Sequence, residues 1–225
     1  SLRREQILKN QIGEGISEAR MTELSRVTAD YISNEGASNN FRMAFMTDIH
    51  DAIFAVNALG EFADRNAIDC IANGGDNVSG YGADKQEVIR QLTVLKSAFK
   101  KISPNTLHCL GNHDTGFELT TPLAAFETFT AMYGAKSQYP NIVFGSDVGA
   151  IYGYIDYPSH KIRVISLDQQ DYDRAAETSR IGILAHSQAQ LNWFANTALD
   201  IPDLTWQIIV ITHSFKSVQS QNVLA

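Results

Sequence analysis

Four short segments of the chain carry side chains that bind metal ions or move protons. They are Asp48-Ile49-His50, Gly74-Gly75-Asp76-Asn77, Gly111-Asn112-His113-Asp114 and Thr212-His213. Each follows an apolar run that reads as a β-strand: Phe41 to Thr47, Asp69 to Ala72, Thr106 to Leu110 and residues 205–212. Each therefore sets a carboxylate, an imidazole or an amide at a strand tip. Strand tips of one parallel sheet lie side by side, and ligands of α/β folds bind there. Residues distant in sequence thereby converge on one point. Oxygen donors mixed with imidazoles suit one or two divalent transition ions. The chemistry open to such a site is metal-assisted hydrolysis of a phosphate ester.

The elements that must position these residues alternate. A helix over 52–65 presents Ile53, Val56, Leu59 and Phe62, and one over 85–101 presents Val88, Leu92, Leu95 and Phe99, both at helical spacing. Strand–helix alternation implies parallel strands covered by helices. A helix near 122–133 is opened by Pro122, which suits a first turn. The second half then changes character. Residues 150–157 and 161–168 read as strands joined by the turn Pro158-Ser159-His160, so an antiparallel part joins the parallel part. Residues 169–182 read as a polar loop. Ser187 is placed to cap a helix over 188–199 that buries Leu191, Trp193 (or Phe194) and Leu199. Residues 2–33 read mostly as helix, with Leu24, Val27, Tyr31 and Ile32 in phase, and 34–40 as a linker.

At 225 residues with 44% hydrophobic content, the chain is long enough for one sizeable domain. No apolar run is long enough to span a membrane. A net charge of −7 argues against holding nucleic acid mainly by surface charge. Cys70 and Cys109 lie inside predicted strands and read as buried, reduced thiols. The charged start (Arg3, Arg4, Glu5) lacks a secretory apolar core, which leaves the cellular location open and leans it towards the cytoplasm. Oligomeric state is not legible.

Each site residue has a plainer reading. Asp48 and Asp76 could cap the helices that follow, and Asp51 reads as such a cap rather than as a site residue. Asn112 could be a turn residue tolerating left-handed geometry. His50, His113 and His213 could be ordinary loop histidines. Asp114 either orients His113, joining it in catalysis, or finishes the turn. Asn77 and Tyr81 either edge a substrate pocket or belong to a plain loop. His108, His160 and His186 read as structural.

An Asp-x-His alone is weak and Gly-Asn-His-Asp is more specific. All four segments in this order, each after a strand, resemble the calcineurin-like metallophosphoesterase superfamily. The resemblance covers about residues 41–213, including Gln188-Ala189-Gln190-Leu191-Asn192-Trp193, and leaves 1–40 as an N-terminal helix and linker. It implies an α/β fold of two sheets in a sandwich flanked by helices. It implies two divalent ions (Mn, Fe, Zn or Ni) and a phosphomonoester or phosphodiester substrate attacked by a metal-bridging hydroxide. By that resemblance Asp48 and His50 hold the first ion, Asp76 bridges, and Asn112 and His213 hold the second. His113 faces the phosphate as hydrogen-bond donor or general acid. The substrate-binding candidates are then Asn112, His113 and, from its place just past Asp76 rather than from the resemblance, Asn77.

Two departures stand out. Family members often carry Asp three residues after the bridging Asp, steadying the catalytic imidazole; here that position is Ser79. The family also usually ends in Gly-His-x-His, and no such motif follows His213. The expectation is therefore a domain over 41–225 that is incomplete at its C-terminus. The rival to an enzyme is a binding or scaffold module that keeps the fold without turnover. The missing imidazoles favour that rival, and the first three intact motifs oppose it.

Overall fold

The computed structural model describes residues 40–80, 84–103, 105–115, 123–170 and 186–214, together with Glu23 and Arg26. The expected N-terminal helix and most of the expected linker and 169–182 loop lie outside the described residues, as do Pro122 and Tyr81.

The first sheet is parallel, in the order β1 (Met43–Met46), β2 (Cys70–Asn73), β3 (Leu107–His108). Helix α1 (Ile53–Asn66) connects β1 to β2, and α2 (Lys85–Ile102) connects β2 to β3. The predicted apolar stripe of α2 (Val88, Leu92, Leu95, Phe99) is fully buried, and Asp84 caps this helix by accepting the Glu87 N–H at 2.8 Å. Helix α3 (Ala125–Met132) packs on α2 and starts later than Pro122 would place it. Its first turn is set instead by Glu127, whose carboxylate accepts the Ala124 N–H at 2.8 Å and pairs with Lys85 at 2.8 Å. The outer edge of β3 is closed by a side chain, since the His108 N–H donates to the Tyr133 hydroxyl at 2.8 Å.

The second sheet runs β4 (Val143–Phe144), β5 (Gly153–Tyr157), β6 (Ile162–Ser166), β7 (Gln207–Ile211). The first two pairings are antiparallel and β6–β7 is parallel. Strand alternation divides its side chains between two layers. Ile155, Ile162, Val164 and Ile211 join the central core with Ile71, Ala72 and Leu107 of the first sheet. Tyr152, Ile165 and Leu167 face outward, under Trp193 and Phe194. Two sheets flanked by helices are thus the observed architecture, as expected. Cys70 and Cys109 are buried free thiols. Among the described residues no helix is long and apolar enough to cross a membrane.

The covering helix α4 (Gln188–Trp193) is capped by Ser187, which accepts the Gln190 N–H at 3.1 Å. It continues into a π turn over Phe194–Ala198. The wider turn rotates the buried face, so Ala198 is buried and Leu199, expected inside, is 40% exposed. Arg163 of β6 closes this end. Its guanidinium, buried to all but 3%, forks onto Asp156, its cross-strand partner on β5, at 2.6 and 2.8 Å. The remaining nitrogen donates to the Ala198 and Asp200 carbonyls at 2.9 Å, which terminate the turn. Removing one partner of such a pair strands the others. Arg163→Ala is expected to lower unfolding stability by about 3 kcal/mol, read as a lower urea midpoint at unchanged slope.

Candidate functional site

The loops after β1 and β2 extend the parallel pairing past the strands. Asp48, His50 and Asp51 donate their N–H groups to the carbonyls of Gly75, Asp76 and Asn77 at 2.9, 3.1 and 2.9 Å. The cost is backbone geometry: Asp48, His50, Asp51 and Asp76 all have positive φ, at 53, 45, 68 and 51°. Left-handed backbone in non-glycine residues costs roughly 1–3 kcal/mol each and collects where surroundings enforce it. The loops after β2 and β3 touch through their glycines. A Cβ on Gly111 would sit 2.0 Å from Asp76 Oδ1, and one on Gly75 (φ 97°) would sit 2.5 Å from the Gly111 nitrogen. Only glycine permits this approach.

Asp76 occupies the meeting point, 5% exposed. Its Oδ1 accepts the His113 N–H at 3.1 Å. Its Oδ2 lies 3.5 Å from His213 Nε2 and 3.9 Å from His113 Nε2. The far nitrogens of both rings face backbone carbonyls: His213 Nδ1 meets Gly74 O at 2.8 Å, and His113 Nδ1 meets Ser79 O. A carbonyl only accepts, so each Nδ1 carries the proton, and in the neutral ring each Nε2 presents a lone pair. Both Nε2 atoms therefore face a buried carboxylate oxygen. His50 stands edge-on to His113 with ring centroids 4.8 Å apart, and its Nε2 is 3.9 Å from Asp48 Oδ1. Ligand atoms of His50, Asp76 and His113 all lie within 4.8 Å of one another. Converging oxygen and imidazole-nitrogen atoms of this kind fit a divalent cation.

The expected residues are thus placed as follows. His50, Asp76 and His213 converge, and Asp48 adjoins them through His50. Its carboxylate is half exposed and accepts the Thr47 hydroxyl at 2.7 Å. Asn112 lies in the Gly111–His113 turn, half-buried, and among the described residues its side-chain amide makes no hydrogen bond. Asn77 lies in the wall rather than on the open side. It is 1% exposed, its amide nitrogen donates to Asp114 Oδ2 at 2.9 Å, and its oxygen accepts from Asn73. Asp114 is fully buried and turns to the backbone rather than to the imidazole of its neighbour. Its carboxylate accepts the N–H groups of Asn77, Val78 and Gly111 at 2.7, 3.2 and 3.0 Å. Burial pushes its pKa up to about 7 against the pull of these donors, with the nearby Asp76 charge adding to the rise.

Asp51 does not cap α1. The residue before that helix is Ala52, without a side-chain cap, and the Asp51 carboxylate instead accepts the Ser79 N–H at 3.1 Å. Two supports were not visible in the sequence. Asn73 accepts the Gly75 N–H at 3.0 Å and donates to His108 Nδ1 at 2.9 Å. Gln169, wholly buried, accepts the Ser214 N–H at 2.7 Å and so holds the turn that carries His213. A buried amide just before Gly-Gly-Asp was the one available signal for Asn73.

A calcineurin-like phosphoesterase family model matches residues 41–221. The chain belongs to the calcineurin-like phosphoesterase family. Phosphoesterases of this family are generally hydrolytic and typically bind divalent metals, and the His50–Asp76–His113 cluster is a candidate site for one. No curated protein and no solved structure matches the chain.

His108 gives the support beneath this candidate site a pH limit. Burial drives its pKa from the ordinary 6.5 down to about 3. The folded state holds the ring neutral while the unfolded chain takes up a proton below pH 6.5. Stability is thus complete above that value and falls as pH drops towards 3, by at most about 1.4 kcal/mol per unit. Urea unfolding at pH 7 and pH 5 is expected to differ less in His108→Gln than in the parent, by roughly 2 kcal/mol.

Proposed function

We propose that this chain is a metal-dependent hydrolase of phosphomonoesters or phosphodiesters. One observation carries the reading: ligand atoms of His50, Asp76 and His113 gather within 4.8 Å of one another, with His213 Nε2 3.5 Å from the buried Asp76 carboxylate. In this reading Asp48 and His50 would hold one divalent ion, Asn112 and His213 would hold a second, and Asp76 would serve both. The donors are oxygen and imidazole nitrogen, which suits Mn, Fe, Zn or Ni. Bound ions supply a nucleophile at neutral pH by acidifying water and offset charge on the phosphoryl oxygens.

The remaining work falls to the protein. Asp76 contributes charge at the centre of the site and, through Oδ1, holds the His113 backbone. His113 keeps its Nδ1 proton on Ser79 O, so the proton it exchanges is the one on Nε2, the nitrogen facing the cluster. As an imidazolium it donates that proton to the leaving oxygen of the ester. The Asn112 amide, without a hydrogen bond among the described residues, serves this reading both in binding the ion and in orienting the substrate. Asp114 acts indirectly, by fixing the backbone of Asn77, Val78 and Gly111, and Asn77 supports the same wall. The net charge of −7 disfavours a nucleic-acid substrate held by surface charge.

Asp76→Asn is expected to lower bound Mn²⁺, measured by elemental analysis, and to abolish Mn²⁺-dependent, EDTA-sensitive hydrolysis of p-nitrophenyl and bis-p-nitrophenyl phosphate. A parent protein that binds Mn²⁺ yet turns over neither ester is a binding module, and the hydrolase reading then falls. His113→Gln is expected to lower kcat by about 10²–10³ with metal content retained.

A further inference from the structure

Asp51 is the acidic residue beside the site whose carboxylate neither caps a helix nor joins the cluster around Asp76. It sits at φ 68°, held in that left-handed geometry by its own N–H bond to Asn77 O at 2.9 Å. The carboxylate reaches across to the next loop and takes the backbone N–H of Ser79 at 3.1 Å. The Ser79 carbonyl in turn receives His113 Nδ1. Where a side-chain carboxylate at position 79 could have aimed the imidazole directly, a main-chain carbonyl does so.

A main-chain carbonyl aims a ring only if its peptide plane is fixed. The plane after Ser79 leads into Gly80, at φ 65°, and glycine restrains that plane little. Gly80 also passes close under His113: a Cβ there would lie a tight 3.0 Å from His113 O. Asp114 immobilises the N–H groups of Asn77 and Val78. Ser79 is the next residue, and its tether is Asp51.

We propose that Asp51 is a positioning residue for His113, acting through Ser79 to hold the imidazole with its proton on Nδ1 and Nε2 turned to the site. The proposal rests on the proton-transfer role given to His113 above, but its structural part is separately measurable. Long-range ¹H–¹⁵N correlation of the His113 ring in metal-free protein reports which nitrogen is protonated. The parent is expected to show the Nδ1–H form. Asp51→Ala is expected to give a mixture of both tautomers, and with Mn²⁺ to lower kcat on p-nitrophenyl phosphate about tenfold or more with KM and metal content unchanged. Asp51→Asn keeps an acceptor oxygen for the Ser79 N–H and is expected to restore the parental ring signature and most of kcat. If Asp51→Ala does not fold, Asp51→Glu displaces the acceptor by one methylene and is read the same way. An unchanged His113 signature in Asp51→Ala or Asp51→Glu overturns the proposal. An Asp51-dependent signature in a protein without esterase activity upholds the positioning and removes only the hydrolase reading.

Discussion

A carboxylate kept out of water needs positive charge or hydrogen-bond donors around it, and surroundings that hold those groups in place. Asp76 is in that position, and much of the surrounding structure can be understood as the holding. Its backbone lies at positive φ, its Oδ1 is tied to the His113 N–H, and Gly111 is pressed against it so closely that no side chain would fit. The two imidazoles cannot rotate away, because their Nδ1 protons are committed to the Gly74 and Ser79 carbonyls. Such preorganisation places the donors before any ligand arrives, so binding need not meet the cost of ordering them.

Beneath that point lies a layer of buried polar groups that spend their hydrogen bonds on loop backbone. Asp114 gathers donors from two loops, and Asn73 links Gly75, Asn77 and His108. Gly75, Asn77, Val78 and Gly111 follow strands and continue into irregular chain, so their N–H groups would otherwise be buried without partners. The same layer that satisfies the backbone sets the shape of the site. Its cost is desolvation, visible in the raised pKa of Asp114 and the lowered pKa of His108.

The second sheet contributes to the site through β7, whose tip delivers His213 to Asp76. That delivery depends on β7 being pinned beside β6 and on Gln169 holding the turn after His213. Arg163 joins β5, β6 and the end of the covering π turn at one buried guanidinium. Stability of the outer layer and placement of the fourth site segment thus share a strand.

Much of this was legible in the chain itself. Apolar runs ending in Asp, His or Asn located the strand tips, helical spacing located α1 and α2, and residue types at the tips named metal-assisted phosphoester chemistry. Those signals are local: periodicity and residue type survive without knowing what packs against them. The destinations of side chains were decided by the tertiary structure. Asp51 looked like a cap and bonds to Ser79 instead. Asp114 read as orienting His113 or finishing a turn, and Asn77 as edging a pocket or lying in a plain loop, and both are spent inside the wall, while Leu199 looked buried until a π turn rotated it out. A polar side chain takes whichever unsatisfied donor lies nearest in space, and for Asp51 that donor is 28 residues away in sequence.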